Sequence, residues 1–338
     1  MEINKNKLQE ALAIVRPGLA KKEKNIEQST SFAFIKGRVV TFNDEISLSH
    51  PIPELDIEGA VETDRLYQLL SKIKAETISL EQQKNQIIVS SGRSKAGLIL
   101  QKEIKLPLDE EIKEKGKWST LPKEFNHFLN FCIPSCSKKM TMPILRCIHI
   151  DPEGIIESSD GHRITHCDLK EKIKVKDFLL PGENASHVVR LQPIKIADGN
   201  RGWIHFKNSE GTILSCRIQK EDFVDTTPHL HIKGERIIFP KSLPAILERA
   251  MIFSLNEELN QDNVSIILAN KKLTVKAETT LGWFKESVSC KYNKEEITFN
   301  ITPYLLRDII KETRTGSLSD KTLTFQGEGW IYMTTLRV

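Results

Sequence analysis

The sequence predicts an α+β protein in which one unit occurs three times along 338 residues. Segments with a helical spacing of apolar residues begin near Lys5, Pro122 and Lys241, and these starting points lie 117 and 119 residues apart. Spacing this regular indicates an internal repeat. Runs with strand-like alternation lie between single helices, an order typical of helices packed on antiparallel sheets and not of a doubly wound parallel sheet.

The first helix of each unit is predicted from apolar residues that recur at three or four positions and so share one face. They are Leu8, Leu12, Val15 and Leu19 in the first unit, Phe125, Phe128 and Leu129 in the second, and Leu243, Ile246, Leu247 and Ala250 in the third. A second helix is predicted after Thr63 and after Thr302 on the same grounds. In the middle unit its counterpart is the short segment 190–196, which contains Pro193.

Alternating β-branched and apolar residues predict the strands. These include residues 32–36, 38–42, 77–80, 86–90, 144–150, 264–268, 272–276 and 296–300. The charged stretch 108–117 and the segment 226–235 have the composition of linkers. We therefore expect three domains, at residues 1–113, 114–235 and 236–338.

Composition indicates a globular chain with a mild charge. Hydrophobic residues make up 39% and charged residues 28%, and no stretch approaches the ~18 apolar residues of a membrane span. The first residues lack the apolar core of a signal peptide. Six scattered cysteines favour reduced thiols and a cytoplasmic location. The net charge of +4 permits a nucleic-acid partner without predicting one.

Four motifs resemble the bacterial DNA sliding clamp, the DNA polymerase III beta subunit. The segment Glu157-Ser-Ser-Asp-Gly-His-Arg-Ile-Thr165 resembles the Thr-Asp-Gly-His-Arg-Leu motif of the family's middle domain. Val89-Ser-Ser-Gly-Arg-Ser-Lys95 resembles a turn in its first domain, and Arg249-Ala-Met-Ile-Phe-Ser254 resembles part of a helix in its third. The end of the chain, Tyr332-Met-Thr-Thr-Leu-Arg-Val338, resembles the family's last strand. The four occur in the family's order.

The resemblance implies three DNA-clamp domains per chain and a head-to-tail homodimer that assembles into a closed ring around double-stranded DNA. Head-to-tail contacts close into a ring when the rotation per subunit allows it. The implied function is that of a processivity factor, which tethers the replicative DNA polymerase, the clamp loader and other clamp-motif proteins. Such a protein is a non-catalytic accessory subunit without a cofactor, and no membrane partner is expected.

The chain departs from the family's pattern at several positions. Thr335 replaces a proline and Val338 replaces the final leucine. Pro143 and Ile144 stand where the family has two aromatic residues on a DNA-facing loop. These differences leave the preferred peptide open and favour a phage-encoded or otherwise divergent member.

Ten basic residues are candidates for sequence-independent contacts with DNA phosphates. They are Lys21, Lys22, Lys24, Arg65, Lys72, Lys138, Lys139, Arg307, Lys311 and Arg314. The lysines at 21–24 and at 138–139 lie in two loops where the family places DNA contacts. Arg307, Lys311 and Arg314 are predicted to form a continuous basic stripe on the last helix. Each of the ten, taken alone, is equally typical of a solvated surface.

The resemblance also implies a hydrophobic pocket for short peptides. Its middle-domain wall corresponds to Leu145, Gly161, His162, Arg163 and Ile164, and its C-terminal wall to Leu336, Arg337 and Val338. The apolar members would hold the peptide's anchors, and Gly161 would let backbone approach closely. Asp160 and Gly161 are also typical of a tight hairpin turn, and one turn can border a pocket.

Three other interpretations remain open. Cys147, His149, His162, His166, Cys167 and Asp168 are residue types that bind zinc, although their spacing fits no standard finger. Ser159, Asp160 and His162 could form a hydrolytic set, but neighbours on one turn point in different directions. The chain could also be a clamp-fold interaction module that does not encircle DNA, in which case a monomer is expected.

Overall fold

The computed structural model describes residues 1–108, 117–230, 234–256, 261–319 and 321–336. This part of the chain contains six α-helices, which are α1 Lys5–Val15, α2 Thr63–Lys72, α3 Phe125–Cys132, α4 Gly182–Leu191, α5 Leu243–Ala250 and α6 Pro303–Glu312. Short 3-10 turns lie at Arg16–Gly18, Ile133–Ser135, Ile144–Arg146, Thr227–His229 and Met251–Phe253. None of these helices is both long enough and apolar enough to cross a membrane.

The described residues also form twenty-six strands. In the first third they are β1 Glu2–Asn4, β2 Ser31–Ile35, β3 Arg38–Phe42, β4 Ile46–Pro51, β5 Gly59–Glu62, β6 Thr77–Gln83, β7 Gln86–Ser91 and β8 Ser94–Gln101. Then come β9 Ser119–Thr120, β10 Cys147–Ile150, β11 Ile155–Ser159, β12 Arg163–Asp168, β13 Phe178–Pro181, β14 Lys195–Asp198, β15 Trp203–Lys207 and β16 Ile213–Arg217. The last are β17 Glu235–Ile238, β18 Leu255–Asn256, β19 Gln261–Asp262, β20 Val264–Ala269, β21 Lys272–Thr279, β22 Gly282–Ser289, β23 Ile297–Ile301, β24 Thr315–Leu318, β25 Thr322–Gly327 and β26 Trp330–Thr335.

The chain forms two compact units. Unit 1 comprises residues 1–130, 149–154 and 171–221, and unit 2 comprises residues 131–148, 155–170 and 222–338. The three predicted domain ranges do not coincide with these units, and the division at 113 and 235 stays a prediction. Of the two predicted linkers, residues 109–116 and 231–233 lie outside the described residues.

Unit 1 is built on one twelve-stranded sheet with the order β1-β6-β7-β8-β5-β2-β3-β4-β16-β15-β14-β9. Strands from the first and the middle repeat meet where β4 pairs antiparallel with β16, with Leu48 opposite Leu214. Helix α1 packs on β3 and β4 through the buried side chains of Leu8, Leu12 and Val15. Its first turn is capped by the Asn4 side chain, which accepts from the Lys7 N–H at 3.1 Å.

Unit 2 contains the strands β11-β12-β26-β25-β24-β17 in that order and a separate four-stranded sheet with the order β22-β21-β20-β23. The strand pairs β12–β26 and β21–β22 are antiparallel. Helices α5 and α6 pack on each other, and α5 also packs on β21 and β22. The apolar face of α6, with Leu306 and Ile309, is buried as its spacing predicts.

The predicted α+β class with antiparallel sheets is confirmed. The five helices predicted after residues 5, 63, 122, 241 and 302 are present, and the named strands agree within a few residues, except that 144–146 is a 3-10 turn. The helix predicted at 190–196 is wrong: α4 ends at Leu191, and Gln192 takes a left-handed conformation with φ of 51° before Pro193. A residue that precedes proline is disfavoured in the α region, so the helix ends there and its body lies earlier in the chain.

Candidate functional site

The middle-domain motif and the C-terminal strand lie side by side in unit 2. Strand β12 pairs with β26, with Arg163 opposite Thr334 and Ile164 opposite Met333. One residue before β12, the carbonyl of His162 accepts a hydrogen bond from the N–H of Thr335 at 2.8 Å. The two predicted walls of the pocket are therefore neighbours in the fold, although they are more than 170 positions apart in the sequence.

Asp160 holds the turn between β11 and β12 in place. Its Oδ1 accepts from the backbone N–H groups of His162 at 2.9 Å and Arg163 at 2.8 Å. Its Oδ2 accepts from Nε of Arg163 at 2.9 Å and also from Nη2 of the same side chain. Ser159 adds a further link, because its hydroxyl donates to the Arg163 carbonyl at 2.7 Å. The motif is thus a tight turn in which a carboxylate organises both backbone and side chain.

Gly161 is required by the backbone conformation of this turn. Its φ is +86°, a backbone conformation that residues other than glycine rarely adopt. A Cβ at this position would meet no atom within 4 Å. The space beside Gly161 is therefore unfilled by the described residues, His162 next to it is exposed, and the close approach of a peptide backbone stays a prediction.

Burial and ion pairing act against each other at the Asp160–Arg163 pair. Burial raises the pKa of Asp160, but the hydrogen bonds and positive charge of Arg163 outweigh it and leave the pKa below its usual value. Burial lowers the pKa of Arg163, but the hydrogen bond and the negative charge of Asp160 raise it. The net result is a pKa above the usual value. Burial raises the pKa of neighbouring Tyr332 to about 12. Both members of the pair are therefore charged at neutral pH.

Arg163 keeps one donor unused. Its Nη1 is buried and has no hydrogen-bond acceptor within the described residues. A buried donor without a partner is costly, and a ligand oxygen could satisfy it. The sequence motif indicated Arg163 itself, but not Asp160 as its partner, nor the tyrosines Tyr304 and Tyr332 that interact with it electrostatically.

The apolar candidates occupy the same region. Ile164 is buried, whereas Leu145 and Leu336 are half-buried. Leu145 lies in a 3-10 turn beside β11, and its carbonyl accepts from the N–H of Ser137 at 2.7 Å. Arg337 and Val338, the rest of the predicted C-terminal wall, lie outside the described residues.

The candidate DNA contacts of the two loops are solvent-exposed. Lys21, Lys22 and Lys24 follow the 3-10 turn after α1, and Lys138 and Lys139 follow the one after α3. The second loop also exposes Met140 by 75%. Ser137 connects this loop to the pocket candidate Leu145. The N–H of Lys139 donates to the Ser137 hydroxyl at 3.2 Å, and the N–H of Ser137 donates to the Leu145 carbonyl. Arg65 and Lys72 are exposed on α2.

The continuous basic stripe predicted on α6 is wrong. Arg314 lies beyond the end of α6 at Glu312. Arg307 is paired with Asp308 at 2.8 Å and lies 3.9 Å from Glu248 on α5. Lys311 lies 3.6 Å from the same Asp308. The spacing of basic residues alone missed these carboxylates, which share the surface and neutralise part of its charge.

The metal and hydrolytic interpretations are not supported by the arrangement of their side chains. His166 is paired with Glu157 at 3.1 Å, and His149 with Asp177 at 2.9 Å. Within the described residues, the group with ligand atoms close together is His149, Asp151 and Asp177, which differs from the predicted set. Ser159 and Asp160 are both bonded to Arg163, while His162 is exposed.

The comparison with solved structures identifies the fold. No protein-family model matches the sequence, and no curated protein sequence matches it. Among solved structures, a DnaN sliding clamp (DNA polymerase III subunit beta) from Pseudomonas aeruginosa bound to griselimycin superimposes with a TM-score of 0.81 at 15% identity, covering 100% of this chain and 99% of that chain. The corresponding clamp from Bartonella birtlesii, also bound to griselimycin, gives 0.83 at 14% identity, with 100% and 99% covered. The DNA polymerase III beta chain of Streptococcus pneumoniae gives 0.81 at 18% identity with the same coverage. Over its whole length, the chain therefore has the fold of the bacterial sliding clamps.

Proposed function

We propose that the protein is a DNA polymerase processivity factor, a cytoplasmic sliding clamp that encircles duplex DNA as a head-to-tail homodimer. The observation that carries the proposal is the match over the full length of both chains, because a partial match would leave the ring incomplete. Its role is non-catalytic. Its partners are double-stranded DNA, the replicative polymerase, the clamp loader and other proteins that carry a clamp-binding motif.

Two open strand edges support the homodimer. Strand β22 is at the edge of its four-stranded sheet in unit 2. In unit 1, β8 pairs with β7 along its length but with β5 only at Leu100 and Gln101, so residues 94–99 present a second edge within the described chain. An open edge is a template for pairing with another chain. We infer that β8 of one subunit pairs with β22 of the next, and Ile99, 73% exposed, supplies an apolar contact there.

The turn at Asp160 and the C-terminal strand support peptide binding. Leu145, Ile164 and Leu336 offer apolar surface, and the unused Nη1 of Arg163 can donate to a peptide carbonyl or carboxylate. The exposed lysines at 21–24 and 138–139, with Arg65 and Lys72, are the stronger candidates for phosphate contacts. The lysines among them are flexible point charges, which suit contact with DNA that must slide.

Retention on DNA of different topology tests encirclement. The ring is opened by dilution in the presence of a nicked circular plasmid, closed again by concentration, and separated from free protein by gel filtration at a salt concentration that removes electrostatic binding. A linked ring stays on the circle and is lost when a restriction enzyme linearises it. Equal loss from circular and linear DNA would contradict encirclement. A single 38.5-kDa chain at micromolar concentration in light scattering would favour the non-encircling module.

Griselimycin is bound in two of the matching clamp structures, and it serves as the ligand with which the pocket is tested. We propose that it binds this chain beside Gly161 and Leu336. Binding measured by calorimetry should be lost in Leu336→Asp and retained in Ile194→Asp, which alters a 46% exposed isoleucine outside this region. If both variants bind equally, the assignment of the pocket fails.

A further inference from the structure

The four-stranded sheet β22-β21-β20-β23 has one covered face and one open face. On the covered face, Phe284 and Val288 point toward α5, and Arg249 of that helix pairs with Glu286 at 2.7 Å. The alternate residues of β22 point the other way, and Trp283 and Lys285 are exposed. No helix of the described chain is packed on this second face.

The exposure of Trp283 on the open face is not explained by packing within the fold. Its side chain is 70% exposed, whereas Trp203 and Trp330 are 1% and 7% exposed. Tryptophan is enriched at binding interfaces, because its ring offers a large apolar surface and its N–H a hydrogen-bond donor. In the register of the sheet, Trp283 stands opposite Glu278 of β21.

Two lysines stand beside this tryptophan without a counterion. Lys276 of β21 is directly opposite Lys285 of β22, two positions along the strands from Trp283. Like charges in directly opposed positions destabilise a sheet. Neither lysine forms an ion pair with a carboxylate in the part of the chain that the structure describes. The pair is therefore a site where an anion would relieve repulsion.

A cavity of about 610 Å³ lies beside these side chains and extends to the neighbouring strands. It is lined by Lys276, Glu278, Trp283 and Lys285, and also by Ser265 and Asn300, whose side chains are hydrogen-bonded at 2.5 Å. Its volume is within the range of small-ligand sites, roughly 300–1,000 Å³. Ser265 of β20 stands opposite Lys276, and Asn300 of β23 stands opposite Ser265, so their polar groups add donors and acceptors beside the lysine pair.

We propose that this open face binds single-stranded nucleic acid. A base stacks on the Trp283 ring, and the flanking phosphates contact Lys276 and Lys285, the combination by which open sheet faces hold single strands. Pairing of another strand to the β22 edge uses backbone groups in the plane of the sheet, whereas these side chains stand perpendicular to it. The site is therefore compatible with the proposed dimer and is separate from its duplex contacts.

The test uses the full-length protein and an oligothymidylate of about 12 nucleotides, a length within the range of known single-strand sites. Binding should quench tryptophan fluorescence, because the base stacks on Trp283, which is the most exposed of the four tryptophans; Trp118 is half-buried and the other two are buried. Trp283→Ala should weaken binding about 5- to 150-fold, the range expected for loss of one stacked base. Lys276→Gln with Lys285→Gln should make the dependence of log affinity on log salt shallower by about 1.4. Glu278→Gln should strengthen binding, because it removes a negative charge.

A matched control is Lys7→Gln with Lys84→Gln, which removes two exposed lysines of unit 1 and should leave the quenching unchanged. Trp283→Phe should retain most of the affinity, and circular dichroism checks that the variants fold. Unchanged affinity in Trp283→Ala would overturn the proposal. Conversion of a dimer to a monomer by Trp283→Ala, with unchanged affinity for the oligonucleotide, would assign the face to a subunit contact instead. Because a short oligonucleotide cannot be topologically linked, failure of ring closure would not affect this result.

Discussion

Asp160, in the turn between β11 and β12, forms an ion pair with Arg163, the first residue of β12, and the same carboxylate accepts from the backbone N–H of Arg163. Both side chains are largely withdrawn from solvent, with 12% and 19% of their surfaces exposed. Removing one partner of such a pair leaves a charge without compensation, which costs more than the pair itself contributes. The pair therefore links the stability of the turn to the shape of the proposed pocket.

Asp160→Asn should destabilise the protein by roughly 3 kcal/mol, because it leaves the Arg163 guanidinium buried and unpaired. Urea unfolding at pH 7 measures this difference, and Asp56→Asn, at an exposed position, is the control. Since the folded-state pKa of Asp160 is lowered, its stabilising effect is present above ~4, the pKa of unfolded aspartate, and is lost as pH falls through the lowered value. The difference between the wild type and Asp160→Asn should therefore shrink below pH ~4. A constant difference would contradict the ion-pair explanation.

His205 gives a second dependence on pH. Burial lowers its pKa to about 4, and its Nδ1 is hydrogen-bonded to the Ser215 hydroxyl at 2.7 Å. An unfolded histidine takes up its proton near pH 6.5, so stability is fully present above that value and falls between pH ~6.5 and ~4. The loss reaches about 3 kcal/mol at the lower limit. His205→Gln should flatten this part of the stability curve, measured by urea unfolding at intervals across the range. His162→Gln, at an exposed position, should leave it unchanged.

Subunit association should depend on the edge of β8. Ile99→Asp places a charge on a side chain that is 73% exposed in the single chain, and we expect it to convert the dimer to a monomer without lowering the melting temperature of the monomer. Light scattering over a concentration series measures the change. Ile194→Asp is the matched control. If Ile99→Asp remains a dimer of unchanged affinity, the inferred pairing of β8 with β22 is wrong.

Duplex binding should be more sensitive to the loop lysines than to α6. Replacing Lys21, Lys22 and Lys24 with glutamine should make the salt dependence of duplex affinity shallower by up to about 2.7, if all three contact phosphates. Arg307→Gln with Lys311→Gln should have a smaller effect, because Asp308 and Glu248 already compensate these charges. Fluorescence anisotropy at several salt concentrations compares the two sets. A larger loss from the α6 pair would contradict the assignment.

Elements with a strong apolar period were predictable from the sequence, and those set by tertiary contacts were not. The stripe of α1 and the alternation of β20 follow local rules, so the helix at Lys5 and the strand at Val264 were found correctly. The motif at 157–165 located the turn and its arginine, because the residues are contiguous. The neutralising role of Glu248 could not be predicted, since it reaches Arg307 from another helix. Neither could the lysine pair on β21 and β22, which depends on strand register.

The pairing of β4 with β16 has a consequence for any attempt to divide this chain. The twelve-stranded sheet continues across that pair, so a fragment that ends at residue 113 would expose the backbone groups of Ile46–Pro51 to solvent. Such a fragment has an unpaired strand edge, and it should therefore self-associate or precipitate. A fragment that continues to residue 221 keeps β4 paired with β16, but it separates β12 from its partner β26 and so exposes a second strand edge, whereas the full-length chain retains both pairings.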